Sequence, residues 1–487
     1  MPTTLDRLAA AAPGARITGD GATIVRELAY DSRHVRDGDL FFCRPGGTAD
    51  GHDFAPPAVE AGATALVVER ILDVPVPQLV VPSVARAMGP MAAAFFGHPS
   101  EAMTVVGVTG TNGKTTTTFM IESVVDALGM RPGLIGTVET HVADEVRGGV
   151  RTTPESIDLQ RLMAQMRDAG VGILAMEVSS HGLDLHRVDG TRFACALFTN
   201  LSQDHLDFHG SMEEYFEAKA MLFDPALSDR AVVNVDDPAG RRLIERTRLP
   251  VATSSLERDA DVRATRIAMD ASGSDVAAVV GGREVSVRVP LPARYNVANA
   301  LGVLGVALSM GWPLDEVIVG IEALRGVPGR LEPIDEGQGF AVLVDYAHTP
   351  EALEGVLDAV RGFTPPGARL IAVFGAGGDR DRTKRRLMGL AVGARADHAI
   401  ITSDNPRTED PLAIIAAIEA GMREADSTYE SIPDRREAID AAIGGARDGD
   451  VIVIAGKGHE PGQEFADRTV QFDDRQVARE SLARRLR

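Results

Sequence analysis

The stretch Met103-Thr104-Val105-Val106-Gly107-Val108-Thr109-Gly110-Thr111-Asn112-Gly113-Lys114-Thr115-Thr116 decides the fold. Residues 103–108 are an apolar run suited to a buried strand, and a glycine-rich polar turn follows. Beyond Lys114 the apolar positions Met120, Val124 and Leu128 recur every four residues, the period of a helix. Gly129 then stands where a helix commonly ends in a left-handed residue. Strand, glycine loop and helix in that order open an α/β unit. In residues 110–116 the glycines let successive N–H groups curl around one anion at the positive end of the following helix. Lys114 is placed to reach terminal phosphates and the Thr115 hydroxyl to bind Mg²⁺. The loop departs from strict G-x-x-x-x-G-K-[ST], with Val108 at the first position and glycines at 107 and 110. A tight turn would explain the glycines alone; the strand before and the helix after point to ATP or GTP binding.

Working outward, further strand-like runs at 133–138, 172–178, 194–199 and 231–235 alternate with helical patterns. Residues 250–290 hold alternating segments read as an antiparallel edge. The last third repeats strand and helix at 341–345, 369–374, 398–402 and 450–455. The first hundred residues carry short apolar runs, 65–68 and 79–81, between many Pro and Gly, as short strands and loops do. The texture changes near residues 100 and 332, and a length of 487 suits about three domains.

Composition bounds the class. Hydrophobic residues are 44% and charged residues 25%, as in globular proteins. Seventy acidic against fifty basic residues give a net charge of −20, which argues against a nucleic-acid or anionic-membrane surface. Cys43 and Cys195 allow one disulfide at most and no thiolate cluster, so a cytoplasmic protein is expected. No window reaches 18 uninterrupted apolar residues. The run 8–12 is too short for a secretory signal and reads as a first helix.

Several polar clusters could carry chemistry. Glu177 ends an apolar strand, where a carboxylate beside a phosphate loop can hold the nucleotide's Mg²⁺ or simply face water. Residues 204–209, Asp-His-Leu-Asp-Phe-His, suit a metal site or a polar turn equally. Lys219 shares a helix face with Tyr215 and Leu222. It either snorkels from that face, the reading that spacing favours, or is a buried amine able to take up CO₂ as a carbamate. Residues 375–381 look like a phosphate loop without a following Lys-Thr. Asp404-Asn405-Pro406-Arg407 and Gly456-Lys457-Gly458-His459-Glu460 both follow strands, where open α/β sheets bind ligands. Arg407 could grip a carboxylate and Asp404 an ammonium, a zwitterion crevice; ordinary β–α turns are the plainer alternative.

Taken together, Gly-Thr-Asn-Gly-Lys-Thr-Thr at 110–116, Glu-Val-Ser-Ser-His at 177–181, Asp-His-Leu-Asp-Phe-His-Gly at 204–210 and Ala218-Lys219 resemble the Mur ligases in order and spacing. So do Tyr-Asn-Val-Ala-Asn at 295–299, Pro-Gly-Arg at 328–330 and Asp-Tyr-Ala-His-Thr-Pro at 345–350. The resemblance runs from about residue 29 to 463. It implies three α/β domains: an N-terminal UDP-binding domain (1–100), a central P-loop ATPase domain with a mostly parallel sheet (101–332) and a C-terminal Rossmann-like domain (333–487). Tyr30, Ser32, Gly47, Thr48 and Ala49 would lie at the UDP end, and Thr152, Thr153, Ser179 and Arg187 at the muramoyl-dipeptide. Residues 110–116 would bind ATP, with Lys114, Glu177, His205 and Lys219 as its catalytic set. Thr115 and Glu177 would serve one Mg²⁺, and His205 and carbamylated Lys219 a second. Asn296, Asn299, Arg330 and Asp345 would contact the nucleotide. Leu185 stands where the family often has a polar residue and receives no role.

Arg380, Asp404, Asn405, Pro406, Arg407, Gly456 and Glu460 would form the amino-acid pocket, and Asp-Asn-Pro-Arg is the family's diaminopimelate version. Arg407 can pair with the far carboxylate of diaminopimelate, whereas lysine would leave that guanidinium unpaired, at a cost of about 1–3 kcal/mol. The implied activity is ATP-dependent amide formation in peptidoglycan precursor synthesis, with only small-molecule partners, in a monomer. The meso isomer is the expected acceptor, although LL-diaminopimelate carries the same charges. Folylpolyglutamate synthase or a Mur ligase adding a different residue, within the same superfamily, and an NTPase switch are the competing readings. The switch leaves His205, Lys219 and the C-terminal loops without a use.

Overall fold

The computed structural model describes residues 2–47, 49–270 and 272–486. The chain divides into two compact units, one of residues 1–263, 279–283 and 298–320, the other of 264–278, 284–297 and 321–487.

Besides a two-stranded ribbon of Thr3–Thr4 with Ile24–Val25, the first unit carries two larger sheets. The smaller has the order Arg16–Thr18, Gln78–Val80, Ala65–Val68, Asp39–Phe42, Glu27–Ala29, parallel except at Arg16–Thr18. Asp39–Phe42 and Ala65–Val68 are buried throughout, as strands covered on both faces must be. Leu40, Phe42 and Val67 face one apolar cluster with helix Val84–Phe96, and Phe41, Leu66 and Val68 face another. The larger sheet has a parallel core in the order Pro132–Ile135, Ile173–Glu177, Thr104–Thr109, Cys195–Phe198, Ala231–Asn234, Val251–Ser255. Thr104–Thr109 is therefore an interior strand, and its C-terminal end delivers the glycine loop to helix Lys114–Ala127. That helix stops as its sequence demands: Gly129 takes φ +69° and the Met130 N–H returns to the Val125 carbonyl.

The expected antiparallel edge over 250–290 is corrected at its start. Val251–Ser255 runs parallel to Ala231–Asn234, and Ser254 and Ser255 pair in parallel with Val262 and Arg263. Alternation along a strand reports which face is buried, not the direction of its neighbour. Strands Val262–Asp270, Gly273–Val280 and Arg283–Val289 do occupy this stretch, and the division between the units passes through it.

The second unit is built on a sheet ordered Glu332–Pro333, Ala341–Asp345, Val451–Ala455, Leu370–Phe374, His398–Ile401, Tyr429–Ser431, antiparallel only at the first pair. Helices Pro350–Arg361, Thr383–Gly393 and Pro411–Glu424 cover one face and Arg435–Gly445 and Asp474–Arg485 the other. The last long strand inserts between the first two of the α/β series. Loops from three distant stretches, after Phe374, Ile401 and Ala455, are thereby gathered at the carboxyl ends of adjacent strands.

Candidate active site

In the first unit the glycine loop has the backbone its sequence requires. Gly110 takes φ +149° and Gly113 φ +87°; a Cβ at Gly110 would lie 1.9 Å from Thr199 Oγ1, and one at Gly113 2.4 Å from Asn299 Oδ1. Asn299 is thus packed on the loop itself. Thr199 Oγ1 donates to the Asn112 carbonyl at 2.7 Å, the Asn112 N–H donates to Asn200 Oδ1 at 2.9 Å, and Thr111 Oγ1 lies 3.2 Å from the Tyr215 hydroxyl. Thr115 and Thr116 are buried at the helix start. Lys114 Nζ folds back on the Gly110 and Thr111 carbonyls at 3.0 and 2.9 Å.

Lys219 does not snorkel. Its side chain is 2% exposed, its amine donates to the same Gly110 carbonyl at 2.8 Å, and Nζ stands 4.5 Å from the centre of the Tyr215 ring. Burial, helped by the charge of Lys114 and opposed by Asp204, drives its pKa well below that of an ordinary lysine. His205, at φ +54°, stacks edge-on to His181 with centroids 4.8 Å apart, and Asp204 Oδ2 lies 3.3 Å from its Nε2. Burial likewise lowers His205, against the pull of Asp204, and holds His181 down to about 4. Glu177 is 1% exposed at its strand end and accepts from the Thr137 N–H at 2.8 Å and the Thr137 hydroxyl at 3.0 Å. Among the described residues no group of three His, Cys, Asp or Glu converges as a metal centre.

Thr153 Oγ1 lies 3.1 Å from both the Glu177 carbonyl and Ser179 Oγ, and accepts from the Ser179 N–H at 3.0 Å. Arg187 donates to the Thr153 carbonyl at 3.2 Å. Thr152 reaches Thr137 Oγ1 at 3.0 Å, so the pair of threonines is tied to the Glu177 neighbourhood. One residue escaped sequence reasoning here. Glu155, 4% exposed, receives Arg187 at 3.0 Å, Arg44 at 2.6 Å and Arg151. Its signal was its place two residues after the threonine pair, but Arg44 lies 111 positions away. At the N-terminal end the Tyr30 hydroxyl donates to Asp158 at 2.5 Å, and Ser32 opens a single turn capped by Asp31. Gly47 and Ala49 are exposed, the Gly46 N–H donates to the Ala49 carbonyl at 2.9 Å, and Thr48 lies outside the described residues.

In the second unit Asp345 ends its strand buried, accepting from the Leu331 N–H at 2.7 Å and the Ala347 N–H at 2.8 Å. Burial raises its pKa, while Arg330 opposes the rise. The Arg330 guanidinium sits 4.8 Å over the Tyr346 ring, and Asn296 donates to the Pro292 carbonyl at 2.7 Å. Asn296 and Asn299 lie one turn apart on helix Arg294–Met310.

The gathered loops bring Asp404, Asn405, Arg407, Gly456 and Glu460 together. Asn405 Nδ2 donates to Glu460 Oε2 at 2.8 Å, and a Cβ on Gly456 would lie 2.5 Å from Asp404 Oδ2. Arg407 is held by Glu464 through Nε at 2.7 Å and by the Gly378 carbonyl through Nη1 at 2.9 Å. Pro406 packs its carbonyl on Gly378, where a Cβ would come within 1.9 Å. Arg380 is exposed and donates to the Asp379 carbonyl at 3.1 Å. Lys457 is fully buried between Gly456 and Gly458, and the sequence of its loop assigns it no role.

The family description "Mur ligase middle domain" matches residues 108–307, "Mur ligase, glutamate ligase domain" 329–458, and "Mur ligase family, catalytic domain" 25–96. The chain is 46% identical to the UDP-N-acetylmuramoyl-L-alanyl-D-glutamate–2,6-diaminopimelate ligase of Geobacillus thermodenitrificans, covering 100% of this chain and 99% of the relative. The ligase of the same name from Streptomyces coelicolor is 45% identical, covering 98% and 95%. A solved ligase of that name superposes with a TM-score of 0.73 at 32% identity over the whole of both chains. The MurF ligase of Thermotoga maritima in complex with ADP shares the fold, with a TM-score of 0.65 at 21% identity over 95% of this chain and 99% of that one. With all three family regions matched and relatives aligned from end to end, the chain belongs to the Mur ligase family.

Proposed function

We propose that this protein is the ATP-dependent ligase that joins 2,6-diaminopimelate, as the meso isomer, to the D-glutamate γ-carboxylate of UDP-N-acetylmuramoyl-L-alanyl-D-glutamate. It acts in peptidoglycan precursor synthesis, in the cytoplasm and as a monomer. The observation that carries this reading is 46% identity, end to end, to a ligase of that name. No helix among the described residues is long and apolar enough to cross a membrane. The proposed domains are residues 1–100 for the UDP end, 101–332 for ATP and 333–487 for the amino acid.

A carboxylate is a poor electrophile, so the reaction needs activation. The D-Glu γ-carboxylate takes the γ-phosphoryl group of ATP, giving an acyl phosphate and ADP. The loop N–H groups and Lys114, once its ammonium leaves the Gly110 and Thr111 carbonyls, bind the phosphates. Thr152, Thr153, Ser179 and Arg187 hold the dipeptide, Arg187 being aimed by Glu155. Tyr30, Ser32 and the turn 47–49 serve the UDP end; Asn296, Asn299, Arg330 and Asp345 serve the nucleotide. The acceptor amine, placed by Arg380, Asp404, Asn405, Pro406, Arg407, Gly456 and Glu460, attacks the acyl carbon; phosphate leaves and an amide remains. Water must be kept from the acyl phosphate throughout.

Thr115 and Glu177 would hold one Mg²⁺, and His205 with a carbamate on Lys219 a second, each a partial set that phosphate oxygens and water would complete. When bound, the ions would neutralise charge on the moving phosphoryl group. The carbamate depends on the low-pKa amine of Lys219. In its neutral form that amine adds to CO₂ and sheds a proton, leaving a carbamate.

The test is phosphate release from ATP with the UDP-dipeptide and, in turn, meso-diaminopimelate, LL-diaminopimelate and L-lysine. Release that requires the UDP-substrate and is fastest with the meso isomer is expected. Release indifferent to every acceptor would return the protein to the NTPase-switch reading.

A further inference from the structure

Lys457 is an expensive residue in its position. Its side chain has no exposure, and a desolvated ammonium is tolerated only when its protons are matched by acceptors. A methionine of similar volume would cost less. The flanking glycines make the burial possible. Gly456 takes φ +117° and Gly458 φ +54°, and a Cβ at Gly458 would press on Tyr346 Cβ at 2.8 Å.

Two of the ammonium's partners are given by the structure: Asn405 Oδ1 at 2.9 Å and Glu460 Oε2 at 3.2 Å. Asn405 Oδ1 also accepts the Glu464 N–H at 3.0 Å, and Asn405 Nδ2 donates to the same Glu460 oxygen at 2.8 Å. These contacts fix the orientation of the Asn405 amide. Turning it over would set its NH₂ against the Lys457 ammonium and the Glu464 N–H, donor against donor, and its carbonyl against a carboxylate. With its oxygen occupied, Asn405 offers an incoming ligand only hydrogen. A group that only donates recognises a carboxylate and repels an ammonium.

We infer that Lys457 is a positioning residue for acceptor choice: by holding the amide of Asn405 and the carboxylate of Glu460 in one arrangement, it makes the pocket select an amino acid with a second carboxylate over one ending in an ammonium. This rests on the proposed diaminopimelate ligase activity and deepens it, because Lys457 acts through its neighbours and not on the substrate. In its absence the amide is freer to present its oxygen, and lysine becomes a better acceptor.

The experiment compares the wild-type protein with Lys457→Met, measuring KM for diaminopimelate, ATP and the UDP-dipeptide, and kcat/KM for diaminopimelate against lysine. The wild type is assayed first; no diaminopimelate-dependent phosphate release from it would end the activity reading itself. Given a working wild type, Lys457→Met should raise the KM for diaminopimelate about tenfold and lower the preference over lysine by a similar factor, with the other two KM values within about twofold. In an Asn405→Ala background, adding Lys457→Met should change the preference little further, since its action passes through that amide. An unchanged preference in Lys457→Met, a parallel rise of all three KM values, or a full further tenfold loss in the Asn405→Ala background would overturn the role of Lys457 alone. If Lys457→Met does not fold, Lys457→Leu, which likewise has no donor, is read by the same split and with the same opposing outcomes.

Discussion

Lys219 presents the sharpest contrast between stability and chemistry. An amine held at 2% exposure beside another lysine is a burden on the fold, and the Gly110 carbonyl it serves also accepts from Lys114. Lys219→Met should therefore leave the melting temperature unchanged or higher while lowering ligation more than about a hundredfold, a loss of roughly 3 kcal/mol or more in transition-state stabilisation. Calorimetry and phosphate release measure the two halves. In Lys219→Ala, short carboxylic acids should restore part of the rate by standing in for the proposed carbamate. Full activity of either variant without additives would refute that role. Helical spacing placed Lys219 on an apolar face, yet spacing alone favoured snorkelling. What decided its burial was the distant Gly110 carbonyl, an acceptor that lets the amine stay inside. The glycine loop, by contrast, was legible because its requirements are local: two positive-φ glycines, a strand before and a helix after.

At the scale of elements, two contacts make testable joints. His141, on strand Glu139–Val142, is clasped by Glu122 from helix Lys114–Ala127 and by Glu139 at 2.8 Å. Burial works against its charge, but the hydrogen bonds it donates to both carboxylates prevail and raise its pKa from 6.5 to about 9. A folded-state pKa above the unfolded value gives stability that is fully present below about pH 6.5 and lost as pH rises through about 9. Allowing for partial solvent screening, the contribution is about 2 kcal/mol. The melting temperature should fall across that window, and His141→Gln should flatten the fall. Gly89, inside helix Val84–Phe96, touches the turn at Asp189–Gly190: an added Cβ would meet the Asp189 carbonyl at 2.0 Å, and one on Gly190 the Gly89 carbonyl at 2.7 Å. Gly89→Ala should destabilise by about 1–3 kcal/mol in chemical denaturation through overpacking. Neither joint could be read from the sequence. Glu122 and His141 are close in the chain, but only the antiparallel return of Glu139–Val142 onto Pro132–Ile135 turns that strand back along its neighbour. The direction of strands near residue 251 was hidden for the same reason, because alternation carries no information about neighbours.

For the molecule as a whole, the smaller N-terminal sheet, the parallel core of the ATP loop and the C-terminal sheet each have their own apolar cluster, and each bears one set of candidate ligand residues. Binding of the three substrates should then be nearly separable, since a substitution on one sheet leaves the core of another intact, whereas turnover requires all three at once. Lys114→Met should abolish phosphate release while calorimetry finds the affinity for the UDP-dipeptide within about twofold of wild type, the lost interaction being with phosphate alone. Arg407→Met should do the reverse. Glu464 and the Gly378 carbonyl hold the plane of its guanidinium from the protein side, so its removal takes away a prepared carboxylate partner. The KM for diaminopimelate should rise about 5–150-fold, the equivalent of about 1–3 kcal/mol, with the KM for ATP unmoved. Lysine, which has no far carboxylate to lose, should be affected far less, so the ratio of the two acceptors collapses. If either variant weakened all three substrates together, the sites would be coupled before chemistry, and binding would have to be ordered through a shared conformational step instead of assembled from independent parts.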